Sequence, residues 1–552
     1  MKHFFFQKVT ISILILFTYA QLTISVTFPY DEIYLSAATK AANWLISMAR
    51  EERTCDGLSW PESNSNSYRI PGLCTGAAGI GLFFLKLYES TGNVLYLEKA
   101  KLAANYIYHE HKYVNMHGPD WFFGAASGGD YFLALYRVTQ EEDYLNKAKY
   151  FAYWLYNSKY VEGDGYYWKH YPDFPKIYTG IAHGAAGIGM FFLSLYEHSQ
   201  DSTYLQYAEK AFNWMSNYTV RFDDTAIGWK RLTTDNFAYH LWCGGSTGII
   251  FFFEKLYKIT GKEIYKDYLK QTANGLVKYA VQTSHGSAWH YTSHSTSGFP
   301  IVYCHGTSST VHALYVANSI LHDSKYLDCA RSGAEWLINQ KQYVYQNAYY
   351  WTYFDNSDWV ETGLLTGVAS IGYSFTKYYE YDPNSKYIDM AQGAANWLLS
   401  IANSPLDDQM RWINFTSATS SMDEKAYYTG WYHGAAGIGI FLLELHAVLD
   451  TTESYIPITD TFVTLKNYPN PFHTYTSIEF NLPYDSPVIL EIYDVLGKRI
   501  KTLVKNQICS KGINTVTWTA DDCSHTPVTS GIYVIRLHAN GRTVSQKTVL
   551  IK

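Results

Sequence analysis

Two kinds of apolar segment alternate along most of the chain. The first kind, as in LFFLKLY (82–88), MFFLSLY (190–196) and IFFFEKLY (250–257), is apolar nearly all round. The second, as in YLEKAKLAANYIY (96–108) and YLDCARSGAEWLINQ (326–340), carries apolar residues at helical spacing and charges on one face. A small-residue turn precedes each segment of the first kind, and the turns read CTGAAGIG, FFGAASGG, AHGAAGIG, WCGGSTG, YCHGTSS, LTGVASIG and YHGAAGIG. Segments of the second kind also recur seven times. Helix pairs with a period of roughly 60 residues must stack to bury their apolar faces. The all-apolar helices suit an inner layer and the one-faced helices an outer one. The pattern therefore predicts a mainly α fold over residues 30–450, a closed α/α toroid of seven inner and seven outer helices.

Past a linker at 451–461 the period changes to two. Runs such as TSIEFNLP, VILEIYDVLGKRIKTLV and GIYVIRLHA are separated by turn residues, which predicts a small β-sandwich over 462–552. At the other end, Lys2 and Lys8 precede an apolar run from Val9 to Ala20. It is too short to span a bilayer and reads as a signal peptide over 1–25. No other segment is long and apolar enough for a membrane helix. The charge of -6 and the absence of a Lys/Arg run argue against a nucleic-acid partner. The 52 Tyr and 16 Trp fit an aromatic core or an aromatic-lined cavity for a peptide or sugar.

Seven cysteines in an exported chain raise disulfides. Cys55 with Cys74, and Cys509 with Cys523, are close enough in sequence to pair, and Cys329 reads as a buried hydrophobe. Cys243 and Cys304 need another explanation. Aligning the seven turns puts Thr75, Phe123, His183, Cys243, His305, Thr366 and His433 just before the turn glycine. Four of the seven are His or Cys, types that fill only 26 of 552 positions, so this end of the ring is expected to carry chemistry. Cys243, Cys304 and His305 come from neighbouring turns, and two thiolates with an imidazole suit zinc. Three protein ligands leave a fourth position for a thiol substrate or water. His183, at the same ring position, is a candidate to move protons, and Asp120 is a candidate to orient an imidazole. The plain alternatives are a helix-capping histidine and a loop carboxylate.

AHGAAG with His183, WCGG with Cys243 and CHG with Cys304 and His305 together resemble the lanthionine cyclase-like family. The resemblance implies the double-layered toroid, with zinc on Cys243, Cys304 and His305, proton transfer by His183 and an active-site aspartate at Asp120. It also implies addition of a peptide thiolate to a dehydroamino acid, forming a thioether. The pattern is departed from at Tyr239, where the family usually has arginine, and at Gly244, where an aromatic is usual. Thr307, Ser308 and Ser309 follow CHG, and His433 is an additional cavity candidate. NYPNPF, IYDVLGKRI and SGIYVIRL resemble the type IX secretion C-terminal sorting domain. That resemblance implies an immunoglobulin-like fold, the type IX machinery as partner, and a secreted or surface location in a Gram-negative bacterium.

Two other functions compete with a zinc-dependent enzyme that acts on a peptide or small thiol. One is a carbohydrate-active hydrolase or lyase, which needs a second carboxylate opposite Asp120, for which Asp164, Asp358 and Glu361 are candidates. The other is a non-catalytic zinc-containing protein that binds a peptide or glycan.

Overall fold

The computed structural model describes residues 30–114, 118–170, 176–345, 347–414, 426–452, 464–482, 486–495, 497–510, 512–539 and 542–552. The expected signal peptide and most of the expected linker lie outside the described residues. The chain divides into two compact units, one covering the described residues up to 340 and 351–447, the other 341–350 and those from 448 onward.

The first unit is helical. Even-numbered helices each begin one residue after a turn glycine: α2 (Ala77–Thr91), α4 (Ala125–Thr139), α6 (Ala185–Ser199), α8 (Ser246–Thr260), α10 (Thr307–Leu321), α12 (Val368–Tyr381) and α14 (Ala435–Thr452). Odd-numbered helices alternate with them: α1 (Tyr30–Met48), α3 (Val94–His109), α5 (Glu142–Ser158), α7 (Ser202–Met215), α9 (Glu263–Lys278), α11 (Ser324–Asn339) and α13 (Ser385–Ile401). Helix α14 runs on through Thr452, past the expected linker start at 451. No helix among the described residues is long and apolar enough to cross a membrane.

The turn glycines are required by backbone crowding. A Cβ on Gly184 would sit 2.5 Å from Tyr178 O, and one on Gly245 would sit 2.3 Å from Tyr239 O. A second set of glycines lets neighbouring even-numbered helices approach. An aromatic side chain of the next helix occupies the space of the missing Cβ at Gly81 (Tyr131), Gly129 (Phe191), Gly189 (Phe252) and Gly372 (Phe441). The same contact between Gly439 of α14 and Phe83 of α2 joins the last helix of the series to the first.

The seven turns are tied to each other by backbone hydrogen bonds that form a closed circuit. The N–H of Cys74 bonds to Phe122 O, Phe122 to Ala182, Ala182 to Cys243, Cys243 to Cys304, Cys304 to Leu365, Leu365 to Tyr432, and Tyr432 back to Cys74, all at 2.8–3.3 Å. Each turn thus sits beside the next in chain order.

The second unit is rich in strands. An antiparallel three-stranded sheet has the order Thr464–Tyr468, Thr476–Leu482, Gly512–Trp518. A four-stranded one has the order Arg499–Cys509, Ser486–Asp494, Gly531–Ala539, Arg542–Leu550. Burial alternates along Thr476–Leu482, as a strand with one covered face requires. Ile478 and Phe480 of one sheet share a core with Leu490, Ile492, Ile535 and Leu537 of the other.

Two outcomes follow for stability. Gly439→Ala places a Cβ 2.4 Å from the Phe83 ring. It should destabilise the fold by about 1–3 kcal/mol in urea titration, exceeding the gain in helix propensity of about 1 kcal/mol. His312, bonded at 2.8 Å to the Tyr303 hydroxyl, is depressed to about 3 by burial and then by Lys377. The unfolded chain binds this proton and the folded one does not. Stability from this group is therefore complete above about pH 6.5 and is lost as pH falls towards 3. The urea midpoint should drop between pH 6.5 and 4, and His312→Gln should flatten that slope.

Candidate functional site

The structure shifts one residue of the turn alignment. The glycine that caps α8 is Gly245, with extended backbone at φ -146°, so Gly244 and not Cys243 matches His183 and His305. In a Gly-Gly pair the sequence offers two registers; the contact of Gly245 with Tyr239 O selects one. Cys243 instead matches Cys304, its neighbour in the hydrogen-bond circuit, where its N–H reaches Cys304 O at 3.3 Å.

This register brings two thiols and an imidazole together. The ligand atoms of Cys243, Cys304 and His305 all lie within 4.8 Å of one another, with both cysteines buried. Cys304 Sγ is 3.5 Å from His305 Nε2, close to the edge of about 3.5 Å in a tetrahedron with zinc–sulfur and zinc–nitrogen bonds of ordinary length. His305 Nδ1 is 2.6 Å from the Tyr353 hydroxyl, which is itself 3.1 Å from that of Tyr291. With Nδ1–H donating to Tyr353, Nε2 is left as a lone-pair donor facing the sulfurs. A hydrogen bond from Cys304, then His305 and Arg231, pulls the Cys243 thiol well below its ordinary value. Burial and the Cys243 charge push Cys304 up. These residues fit a soft cation.

A second cluster is built on Asp120, which is 1% exposed. Its Oδ1 accepts the N–H of Phe123 at 2.7 Å and of Gly124 at 3.1 Å, capping the turn before α4. Its Oδ2 lies 2.9 Å from His183 Nδ1 and 2.7 Å from His170 Nδ1. Burial alone raises this carboxyl, but the His170 and His183 imidazoles outweigh it and hold the group well below the usual carboxylate range. Because both rings present Nδ1 to one oxygen, each keeps its Nε2 for other partners. The arrangement fixes the orientation of both imidazoles. Asp120, His170 and His183 also form a group of the kind able to hold a metal ion.

His170 was not singled out in the sequence, nor were Arg231, Tyr291 and Tyr353, although a repeated signal marks all four. Buried Trp60, Trp168, Trp229, Trp289, Trp351 and Trp412 recur between the helix pairs. Five of their indole N–H groups donate to a leucine carbonyl of the preceding odd-numbered helix, as Trp289 does to Leu276. Trp229 donates to Thr272 instead. Two residues after each tryptophan stand Glu62, His170, Arg231, Tyr291, Tyr353 and Asn414. The anchored indole fixes the connecting segment between the helix pairs, and the residue two positions on follows from that fixed point. His170 meets Asp120, Tyr291 and Tyr353 meet His305, and Asn414 Nδ2 is 3.3 Å from His433 Nδ1.

Other candidates fall elsewhere. Asp164 is exposed and paired with Lys210 and Asn213, and Asp358 is exposed. Glu361 is buried, bonded to Thr366 and 3.5 Å from His433 Nδ1. All seven cysteines are free thiols, so the possible Cys55–Cys74 and Cys509–Cys523 pairs are not formed; Cys74 is buried and Cys523 is exposed.

The family model described as lanthionine synthetase C-like protein matches residues 13–164, 159–383 and 346–470. The secretion system C-terminal sorting domain matches residues 466–552. No curated protein matches the chain. Among solved structures, nisin cyclase is similar at a TM-score of 0.48 and 13% identity, over 70% of this chain and 88% of that one. An alpha-1,6-mannanase from Salegentibacter sp. HEL1_6 is similar at 0.42 and 14%, over 75% and 99%. Cellobiose 2-epimerase from Spirochaeta thermophila is similar at 0.43 and 13%, over 76% and 98%.

Asp120→Ala strands two backbone N–H groups and two imidazoles, and should cost about 2–4 kcal/mol in urea titration. Asp120→Asn keeps the acceptor for Phe123 and Gly124 and should cost less. Equal losses from the two variants would mean that the cap is not what Asp120 contributes to stability.

Proposed function

The chain belongs to the lanthionine synthetase C-like family and ends in a secretion-system sorting domain; from this and the site geometry we propose an exported, zinc-dependent enzyme that adds a thiol to an electrophilic peptide site. Its scaffold on this reading is an α/α toroid of seven inner and seven outer helices. The C-terminal unit is an immunoglobulin-like sandwich that engages the type IX machinery and directs the chain to the outside of a Gram-negative cell. What carries the proposal is the convergence of Cys243, Cys304 and His305 on two adjacent turns of the hydrogen-bond circuit that also holds His183 against buried Asp120.

Zinc on Cys243, Cys304 and His305 would offer an open fourth position at which a thiol readily gives up its proton. The residues of the chain supply the rest. The sulfur forms a bond to the β-carbon of a dehydroalanine or dehydrobutyrine, and the alkene electron pair moves towards the adjacent carbonyl as an enolate. His183 Nε2, having accepted the proton released by the thiol, gives it to the α-carbon, so that S–H has been added across the double bond. Asp120 accepts Nδ1–H and keeps Nε2 directed away from it. His170 shares that carboxylate. Tyr353 and Tyr291 hold the His305 ring. A glycosidase asks for two carboxylates facing a sugar, whereas Asp120 and Glu361 are both buried and engaged with histidines.

Purified chain should hold about one zinc per molecule, from the three-ligand count, and Cys304→Ala should lose it. Tyr353→Phe should weaken zinc affinity by roughly 10-fold or more. His183→Ala should keep zinc and slow thiol addition to a dehydroalanine peptide by roughly 10²–10⁴-fold, with His433→Ala doing less. Metal analysis and stopped assays test this. A zinc-free wild type purified under reducing conditions, or full activity without His183, sinks the proposal.

A further inference from the structure

Arg231 is a half-buried cation with no carboxylate counter-ion among the described residues, its electrostatic neighbour being the Cys243 thiol. No carboxylate or hydrogen-bond acceptor among the described residues engages its guanidinium, whereas Arg69, Arg137, Arg331 and Arg499 each pair with an acidic side chain. Asp235, the nearest carboxylate along the chain, accepts the Leu232 N–H at 2.7 Å instead. Removing a charge from water without a partner costs free energy, so an unpaired cation in a site marks the place where a ligand supplies the anion.

Its position says which ligand. Arg231 stands two residues after buried Trp229 and lies across Gly244, the residue after Cys243. A Cβ on Gly244 would be 2.9 Å from Arg231 Cγ, 3.2 Å from Cδ and 3.3 Å from Nε. The missing side chain is therefore the space the arginine uses. Its guanidinium carbon is 5.7 Å from the centre of the Tyr178 ring, and that ring is 5.5 Å from the His183 ring. The cation thus lies between the thiol–imidazole group and the proton-transfer pair. Tyr239, where the family usually has its arginine, packs its Cβ on Gly245 and its ring on Phe237. A guanidinium matches a carboxylate with two parallel hydrogen bonds.

We propose that Arg231 is a specificity residue that selects thiols carrying a carboxylate a few bonds from the sulfur, and that Gly244 is the opening through which it reaches them. This rests on the thiol-binding reading above and narrows its substrate to anionic thiols, such as a cysteine with a free α-carboxylate.

The test is calorimetric titration of the zinc-loaded full chain with 3-mercaptopropionate, 3-mercaptopropan-1-ol and propionate. Wild type should prefer the mercaptocarboxylate to the neutral thiol by roughly tenfold or more, the range of a charge-assisted hydrogen bond. Arg231→Gln should erase that preference, read as the ratio of the two thiols' affinities at full zinc loading, so that any weakening at Cys243 common to both thiols cancels. Gly244→Phe, which fills the space of the arginine stem, should do the same. Equal binding of the two thiols by wild type, or a preference that survives in Arg231→Gln, overturns the assignment and leaves thiol binding intact. If neither thiol binds, the thiol reading falls. Arg231 is then decided by propionate alone, upheld if Arg231→Gln abolishes its binding and rejected otherwise.

Discussion

The closed circuit of backbone hydrogen bonds between the seven turns is the constraint on which the site depends. Each turn donates to the next and accepts from the previous one, from Cys74 through to Tyr432 and back. A buried turn must satisfy its N–H and C=O groups, and here the neighbouring turn does so. The bonds demand close approach of backbones, which the capping glycines permit because a Cβ would strike carbonyl oxygens at about van der Waals overlap. Residues 61 positions apart, Cys243 and Cys304, become immediate neighbours by this rule.

The same circuit separates the chemistry into sectors. Cys243, Cys304 and His305 occupy two adjacent turns, and Asp120 and His183 the two turns before them. Each sector has its own support: Tyr353 and Tyr291 behind His305, and backbone N–H groups with His170 around Asp120. The supporting side chains come from connecting segments anchored by buried tryptophans, whose indoles cannot shift without losing a hydrogen bond in the core. Precise placement of reactive groups requires such backing.

The two departures from the family pattern, at Tyr239 and Gly244, belong together. Gly244 leaves open the space that Arg231 fills, and Tyr239 is engaged with the backbone of the same turn. A positive charge stands near Cys243, but it enters from the segment that follows buried Trp229. Both changes look like losses when single positions are compared along the chain, because a sequence pattern registers which residue stands at a position and not which side chain fills a volume.

The sequence alone determined the alternation of helix types, the seven turns and the change to strand periodicity near residue 460, and it named Asp120, His183, Cys243, Cys304 and His305 as candidates. These were legible because helical period, glycine crowding and metal-ligand types are local properties written in consecutive residues. Only the tertiary structure decided that Gly245 is the cap, since two adjacent glycines are equivalent until Tyr239 O lies against one of them. It alone put His170 on Asp120 and Arg231 over Gly244, and left Cys55 and Cys74 unpaired. Those outcomes depend on which turn meets which across the circuit, and distances through space between residues 13 to 50 positions apart are set by the packing of whole helices, not by any stretch of chain that contains them.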